Sequence, residues 1–199
     1  METAGVPGPP SVPIVPPSEE TKAHFCSTPW AWKLFSDPTL RPFSNPSRIP
    51  NNSTTSCSFI GKTLATQDTI VAWQSFYKPP DSTSKYGQVL CLALLGSGVN
   101  GHVDTSHGGF VAVLFDEGFG LVAGNQRPDD RAVMTVSLKI DYKKPVPTPG
   151  VVLCRCWLEK EERRKMWIRG AIEDGDGTVL ATAQSLFLVV EGLKPLERL

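Results

Sequence analysis

The sequence predicts an α+β fold in which an antiparallel sheet wraps around one long central helix. Two observations carry this prediction. An apolar segment near residues 107–123 has the length of a helix and is hydrophobic on all sides, as a helix buried in a core is. Strand patterns separated by short turns follow it, and strands joined in this way are antiparallel neighbours.

The beginning of the chain differs from the rest in composition. Residues 1–18 are dominated by Pro, Gly, Val and Ser, and we expect a disordered Pro-rich tail. Residues 19–57 hold Trp and Phe among several prolines, which is enough apolar surface to dock on a domain but too little to form one. We expect an N-terminal extension with one short helix near residues 29–36, packed on a domain of residues 58–199.

Strand patterns lie on both sides of the apolar helix. Residues 69–78 are compatible with a strand or a short helix, and residues 88–96 read as a buried strand. After the helix, the expected strands cover residues 132–143, 151–160, 165–173 and 179–190. Apolar and polar side chains alternate over residues 135–142, so one face of that strand should be buried.

Composition and charge exclude several classes of function. Twenty basic and twenty acidic side chains cancel, so nucleic acid is not an expected partner. No apolar run reaches the roughly 18 residues of a membrane helix, and the N-terminus lacks a signal-peptide pattern, so we expect a soluble cytoplasmic protein. The five cysteines have scattered spacing, which favours reduced structural thiols over a disulfide framework or a metal site.

One motif imitates a dinucleotide-binding fingerprint. Residues 96–101 read Gly-Ser-Gly-Val-Asn-Gly after an apolar strand, and an acid lies about twenty residues further on. The helical pattern starts near His107 rather than at the glycines, and an antiparallel meander follows. We therefore predict the end of a strand leading into a loop, with neither a cofactor nor a metal ion.

The apolar helix opens on His107-Gly108-Gly109 and carries Asp116 and Glu117 in its middle. A carboxylate in a core is costly unless it is paired or hydrogen-bonded, so this segment is the candidate active site. The first N–H groups of a helix lack intrahelical partners, and the two glycines either let a substrate carbonyl approach them, as in an oxyanion hole, or allow close packing at the start of the helix. His107 is expected to position this corner rather than to transfer protons.

Spacing along the helix adds a constraint. The side chains of neighbouring helical residues point about 100° apart, so only one of the two acids should face a substrate. Desolvation at that position would raise the pKa of the acid. That acid would act as general base or nucleophile.

Gly109 and Asp116 lie roughly 10 Å apart along the helix, too far to serve one carbonyl. Two antiparallel copies would bring them together, which predicts an obligate dimer with composite sites. Thr135 either orients the carboxylate or is an ordinary strand residue.

Together these residues resemble the hotdog-fold thioesterases. The resemblance covers residues 59–192 and rests on three segments: the His-Gly-Gly motif with Asp116 beyond it, the strand from Thr135 to Pro145, and the strand from Ala183 to Phe187. These segments are similar to acyl-CoA thioesterases related to the carboxyl-terminal modulator protein. The Pro-rich start and the Trp-rich extension resemble stand-alone fungal members, some of which act in polyketide pathways.

The resemblance implies a hotdog fold that dimerises through its sheet, as a homodimer or a dimer of dimers. It assigns Asp116 to the base or nucleophile, the Gly109 N–H to the thioester carbonyl, and Thr135 to orienting the attacking group. Many relatives carry Asn or Gln shortly before the His-Gly-Gly. In this chain Asn100 and Asp104 are the candidates for this second carbonyl-binding group.

Two functions are compatible with these features. The first is an enzyme that releases an acyl chain from CoA or an acyl carrier domain, by hydrolysis or by attack of a substrate hydroxyl to form a lactone. The second is a non-catalytic module that holds an acyl chain or carrier protein in the same dimer groove. Gly108 and Glu117 complete the set of residues expected to contact the substrate.

Overall fold

The computed structural model describes residues 14–49, 55–82, 84–126 and 131–191. These residues form helices α1 (Glu19–Phe25), α2 (Pro29–Phe35) and α3 (Gly108–Gln126), and strands β1 (Arg41–Phe43), β2 (Ile70–Lys78), β3 (Gln88–Leu95), β4 (Asn100–His102), β5 (Thr105–Ser106), β6 (Ala132–Tyr142), β7 (Gly150–Glu162), β8 (Lys165–Glu173) and β9 (Val179–Val190). The predicted Pro-rich tail lies outside the described residues as far as residue 13.

Among the described residues, seven strands form one antiparallel sheet in the order β1-β2-β3-β7-β8-β9-β6. Helix α3 packs across one face of this sheet, mainly against β7, β6, β8 and β3. The short strands β4 and β5 form a separate hairpin before α3. The predicted α+β fold, an antiparallel sheet around a central helix, is confirmed. None of the described helices is long and apolar enough to cross a membrane.

The centre of α3 lies close to the sheet because it carries a glycine there. A Cβ added to Gly118 would come within 2.7 Å of the Cys156 Sγ, so a larger residue would push the helix away. Cys91, Cys154 and Cys156 are buried at this point, and all five cysteines are free thiols. The helix continues to Gln126, beyond its predicted end at residue 123.

The strand prediction for β6 is only partly right. Leu138 and Ile140 pack against the core, as the alternation predicts, but Val136 and Tyr142 are each 56% exposed. Two features explain the difference. Strand β6 is the outer strand of the sheet, and its pairing with β9 shifts register between Thr135 and Ser137, which re-aims side chains at that point.

Helices α1 and α2 cover the sheet face opposite α3. On β3, Leu90 and Leu92 join a second core with Phe25 and Ala31, whereas the intervening Cys91 belongs to the main core around α3. Helix α2 confirms the predicted helix near residues 29–36. Helix α1 was missed, although Ser18 and the two acids after it are signals of a helix start.

After α2 the chain reaches the sheet edge and crosses to the side of α3. Strand β1 pairs with β2 at this edge. A 3-10 turn at Pro46–Arg48 and a π-helical turn at Phe59–Thr63 follow, and Ile60 and Leu64 pack into the main core. The boundary drawn between residues 57 and 58 stays a prediction.

Candidate active site

Helix α3 begins at the predicted His-Gly-Gly corner. The Gly109 N–H donates to His107 Nδ1 at 2.9 Å, so the histidine caps the helix through its side chain. The Tyr142 hydroxyl, from β6, donates to the Gly108 carbonyl at 2.8 Å. A substrate carbonyl that takes the Gly109 N–H must therefore share it with His107 or displace the ring.

Asp116 and Thr135 are brought into direct contact. Thr135 Oγ1 donates to Asp116 Oδ1 at 2.7 Å, joining the middle of α3 to the start of β6. The register shift in β6 begins at Thr135, and bulges of this kind commonly aim a side chain at a functional site. Asp116 lies on an exposed side of the helix, so its second carboxylate oxygen is open to a ligand.

The carboxyl group that is desolvated within the single chain is that of Glu117. Burial raises the pKa of Glu117 above its usual value, and the neighbouring charge of Asp116 adds to this effect. Asp116 itself is exposed. The expectation of a desolvated catalytic acid is therefore wrong for Asp116 in the single chain, because adjacent helical positions diverge by about 100° and only the second turns toward the protein.

Glu117 faces a polar cluster from the N-terminal part of the chain. The side chains of Ser47, Asn45 and Arg48 lie close enough to its carboxyl group to favour the charged form and lower its pKa, in opposition to burial. Asn45 Oδ1 also accepts the Ser47 N–H at 2.9 Å, which caps the 3-10 turn. Sequence reasoning missed this cluster: Asn-Pro-Ser is a sequence signal for a cap, but nothing in it points to residue 117.

Asn100 and Asp104 lie in the β4–β5 hairpin and both contact Thr148. The Thr148 hydroxyl donates to Asn100 Oδ1, and the Thr148 N–H donates to the Asp104 carbonyl at 3.1 Å. Asp104 is exposed and has a positive φ of 50°, as a turn residue often has. These contacts tie the hairpin to the loop before β7.

The glycine-rich segment follows the end of β3, as predicted, but it continues into a 3-10 turn at Ser97–Val99 and into strand β4 rather than into a loop. The Gly96 N–H donates to the Thr69 carbonyl at 2.8 Å, and the Gly98 N–H is bonded to Asp68. Helix α3 begins only at Gly108. Within the part of the chain that the structure describes, no cluster of His, Cys, Asp and Glu side chains is arranged to hold a metal ion.

The sequence is similar to known thioesterases over its second half. Residues 104–181 match the thioesterase superfamily model. The acyl-coenzyme A thioesterase THEM4 of Rattus norvegicus is 36% identical over 110 residues, which are 55% of this chain and 46% of the rat protein. The protein of the same name from Xenopus laevis is 33% identical over 107 residues, 51% of this chain and 45% of that protein. This chain thus spans less than half the length of these curated relatives.

The fold is similar to that of a solved bacterial protein. The crystal structure of yhdA from Lactococcus lactis, described as a candidate thioesterase, superposes with a TM-score of 0.55. The match covers 64% of this chain and 96% of yhdA at 18% identity, so it concerns the fold alone. The chain therefore has the hotdog fold, and its residues 104–181 are similar to the thioesterase superfamily.

Proposed function

We propose that this protein hydrolyses acyl thioesters of CoA and that Asp116 activates the attacking water or attacks the thioester itself. The observation that carries the proposal is the 2.7 Å hydrogen bond from Thr135 to Asp116 on an exposed side of α3. Because Thr135 occupies one carboxylate oxygen, the other is held in a fixed orientation for the reaction. The similarity to acyl-coenzyme A thioesterases supports CoA as the acyl carrier.

Hydrolysis at this site follows a simple balance. Asp116 takes a proton from water, the water oxygen bonds to the thioester carbon, and the negative charge moves to the carbonyl oxygen, where backbone N–H groups stabilise it. Collapse of this intermediate breaks the C–S bond, and the departing thiolate takes the proton from Asp116. The products are a carboxylic acid and free CoA. In the nucleophilic route, a carboxylate oxygen of Asp116 attacks the thioester carbon and the C–S bond breaks, so that CoA leaves as its thiolate and a mixed anhydride remains. Water then hydrolyses the anhydride, which releases the carboxylic acid and restores Asp116.

A second copy of the chain completes the proposed site. Gly109 and Asp116 are separated by roughly 10 Å of one helix, so the N–H donor and the base for one carbonyl come from different protomers. Strand β6 carries Thr135, lies at the edge of the sheet, and exposes Met134, Val136 and Tyr142. Exposed apolar side chains on an unpaired edge are typical of a surface that pairs with another strand. The proposed homodimer therefore joins two β6 edges.

The same chemistry allows other products. A hydroxyl of the substrate that replaces water would give a lactone, and a carrier domain could present the acyl chain instead of CoA. Access of water to Asp116 favours hydrolysis, whereas a dry pocket completed by the partner would favour cyclisation. A role in a fungal polyketide pathway is supported by the resemblance of the N-terminal segments to such proteins.

Mass spectrometry of the products formed from simple and hydroxylated acyl-CoA thioesters tests this proposal. We expect free acid and free CoA from the wild-type protein, and a rate about 10²–10⁴-fold lower for Asp116→Asn. A lactone would identify a cyclase. An Asp116→Asn variant as fast as the wild type would exclude the assigned role, and binding of CoA thioesters without turnover would identify a non-catalytic module.

A further inference from the structure

We propose that Tyr142 is a positioning residue for the reaction, and that its hydroxyl holds and polarises the peptide group whose N–H receives the thioester oxygen. The inference rests on the proposed function, which places the carbonyl of the substrate at the Gly109 N–H. Tyr142 is the last residue of β6, the strand that also carries Thr135. One strand thus contacts α3 at Asp116 and again at the start of the helix.

The Gly108 carbonyl and the Gly109 N–H are the two ends of one peptide group. The Tyr142 hydroxyl donates to the carbonyl oxygen at 2.8 Å, and the N–H donates to His107 Nδ1 at 2.9 Å. Because a peptide group is planar, a contact that fixes its oxygen also fixes the direction of its N–H. Tyr142 therefore acts on the proposed oxyanion donor from the opposite end of the same plane.

The two glycines leave this peptide group open to both side chains. A Cβ at Gly109 would lie 3.0 Å from His107 Nδ1, closer than ordinary contact, and one at Gly108 would touch Tyr142 Oη at 3.4 Å. Glycine restricts the backbone less than any other residue, so a peptide group between two glycines is held weakly by its own chain. The contacts from His107 and Tyr142 supply the missing restraint.

Binding of a thioester affects the two contacts differently. The substrate carbonyl competes with His107 for the N–H, whereas the hydrogen bond from Tyr142 to the Gly108 carbonyl is retained. A carbonyl oxygen has two lone pairs, so Gly108 can accept from Tyr142 as well as from the next turn of α3.

The retained hydrogen bond also strengthens the donor. A hydrogen bond to a carbonyl oxygen polarises the peptide group and makes its N–H a better donor. Negative charge gathers on the thioester oxygen only as the carbon is attacked, so a better donor stabilises the transition state more than the bound substrate. Tyr142 should therefore act mainly on kcat.

Hydrolysis of octanoyl-CoA by the full-length Tyr142→Phe variant is the first test. Tyr142 is 56% exposed, so loss of its hydroxyl alone should leave the fold intact. We expect kcat to fall about 3- to 10-fold, the value of one hydrogen bond between neutral groups, with KM nearly unchanged.

Tyr77→Phe is the matched control. Tyr77 lies in β2, and its hydroxyl has no hydrogen-bond partner among the described residues, so this variant should keep the kcat of the wild type. Equal kcat values for Tyr142→Phe and the wild type, or equal losses in the two variants, would overturn the inference. Hydrolysis by the wild type would leave the proposed function intact in both cases.

The strength of the N–H donor can also be read on the substrate. The C=O stretch of octanoyl-CoA, isotope-labelled at the carbonyl carbon and bound to Asp116→Asn, should move to lower frequency in infrared difference spectra. Addition of Tyr142→Phe to this variant should make the shift smaller, because the N–H is a weaker donor. An unchanged shift would contradict the inference, since a merely structural role leaves the carbonyl frequency as it is.

A measurement without substrate separates the inference from the proposed function. In glycine-labelled protein, the amide nitrogen resonance of Gly109 should move upfield in Tyr142→Phe, because the preceding carbonyl has lost a hydrogen bond while the aromatic ring is retained. The same resonance should not move in Tyr77→Phe. A protein that hydrolyses no thioester would contradict the proposed function, and the Gly109 resonance would still show whether Tyr142 polarises this peptide group. A resonance that stays in place would contradict the inference.

Discussion

Asp116 and Glu117 are adjacent in the chain but have different surroundings. Asp116 is exposed and accepts a hydrogen bond from Thr135, whereas Glu117 lies against protein atoms near Asn45 and Ser47. Two carboxyl groups side by side are thus separated by the geometry of the helix into one that is open to a reacting group and one that is desolvated. Each has a consequence that can be measured.

Thr135 is expected to act on the rate through Asp116. Thr135→Val has nearly the same shape but cannot donate to the carboxylate, so we expect kcat to fall about 10- to 100-fold, the value of a hydrogen bond to a charged group. Thr135→Ser retains the hydroxyl and should keep most of the activity. The kcat of each variant is measured from the release of free CoA, followed with a thiol reagent. Equal kcat values for the Val and Ser variants would contradict the orienting role.

Glu117 should make stability depend on pH. Its pKa is higher in the folded than in the unfolded chain, so between the two values the folded protein keeps a proton that the unfolded chain has lost. The free energy of unfolding therefore falls as pH rises through this window and stays lower above it. Asp116 and the thiols of Cys57 and Cys91 share this surrounding, with Arg48 as the nearby cation.

Glu117→Gln removes this dependence. We expect the variant to be more stable than the wild type at neutral pH, with a difference that disappears below the ordinary glutamate pKa of about 4.3. Urea unfolding across pH 4–8 measures the difference. Glu191→Gln, just after β9, controls for the loss of one exposed charge. If the free energies of unfolding of Glu117→Gln and of the wild type change with pH in the same way, the Glu117 carboxyl group is not desolvated.

Single residues also show the limits of the sequence. The local His-Gly-Gly motif and the acids within the apolar helix singled out His107 and Asp116, whereas Thr135 was assigned a role through the resemblance to hotdog-fold thioesterases. Which acid is desolvated was not, because a helix that is apolar on all sides gives no indication of its buried face. Asn45 reaches Glu117 only through the tertiary fold, and no local pattern records a contact between residues so far apart in the chain.

Among the elements, α3 sets the distance between the site and the sheet. A methyl group at Gly118 would meet Cys156 Sγ at 2.7 Å, whereas one at Gly120 would meet nothing within 4 Å. We expect Gly118→Ala to lower the free energy of unfolding by about 1–3 kcal/mol through overpacking. Gly120→Ala, on the same helix, should raise it by up to about 1 kcal/mol. Urea unfolding of both variants measures this, and similar values would contradict the close packing.

The predictability of the elements follows their surroundings. The strands β8 and β9 begin and end where the sequence predicts, because turn residues mark their ends. Strand β6 departs from its predicted alternation because an edge position and a bulge are tertiary features. The helix predicted near residues 29–36 is present as α2. Helix α1 has a cap residue that signals its start, but it was missed because it is too short to show a periodic pattern.

For the whole molecule, the proposal of a shared site predicts complementation. Gly109→Pro removes the N–H from one half of each site, and Asp116→Asn removes the carboxylate from the other half. Each variant alone should be inactive, but mixed, refolded chains should regain about one quarter of the wild-type activity, since half of the dimers carry one intact site of two. If the refolded mixture contains mixed dimers but regains no activity, each site lies within one chain.

The two edges of the sheet differ in a way that bears on how many copies can join. Strand β1 is three residues long and contains Pro42, whose carbonyl already accepts the Val15 N–H at 3.0 Å. Proline cannot donate to a further strand, so this edge is a poor site for growth. Of the two edges formed by the described strands, the long β6 edge is the one that offers backbone groups and apolar side chains to another copy. In the proposed homodimer, pairing of two β6 edges would leave the short β1 edges as the outer edges of the described sheets, so edge-to-edge growth would stop at two copies rather than extend into a fibre.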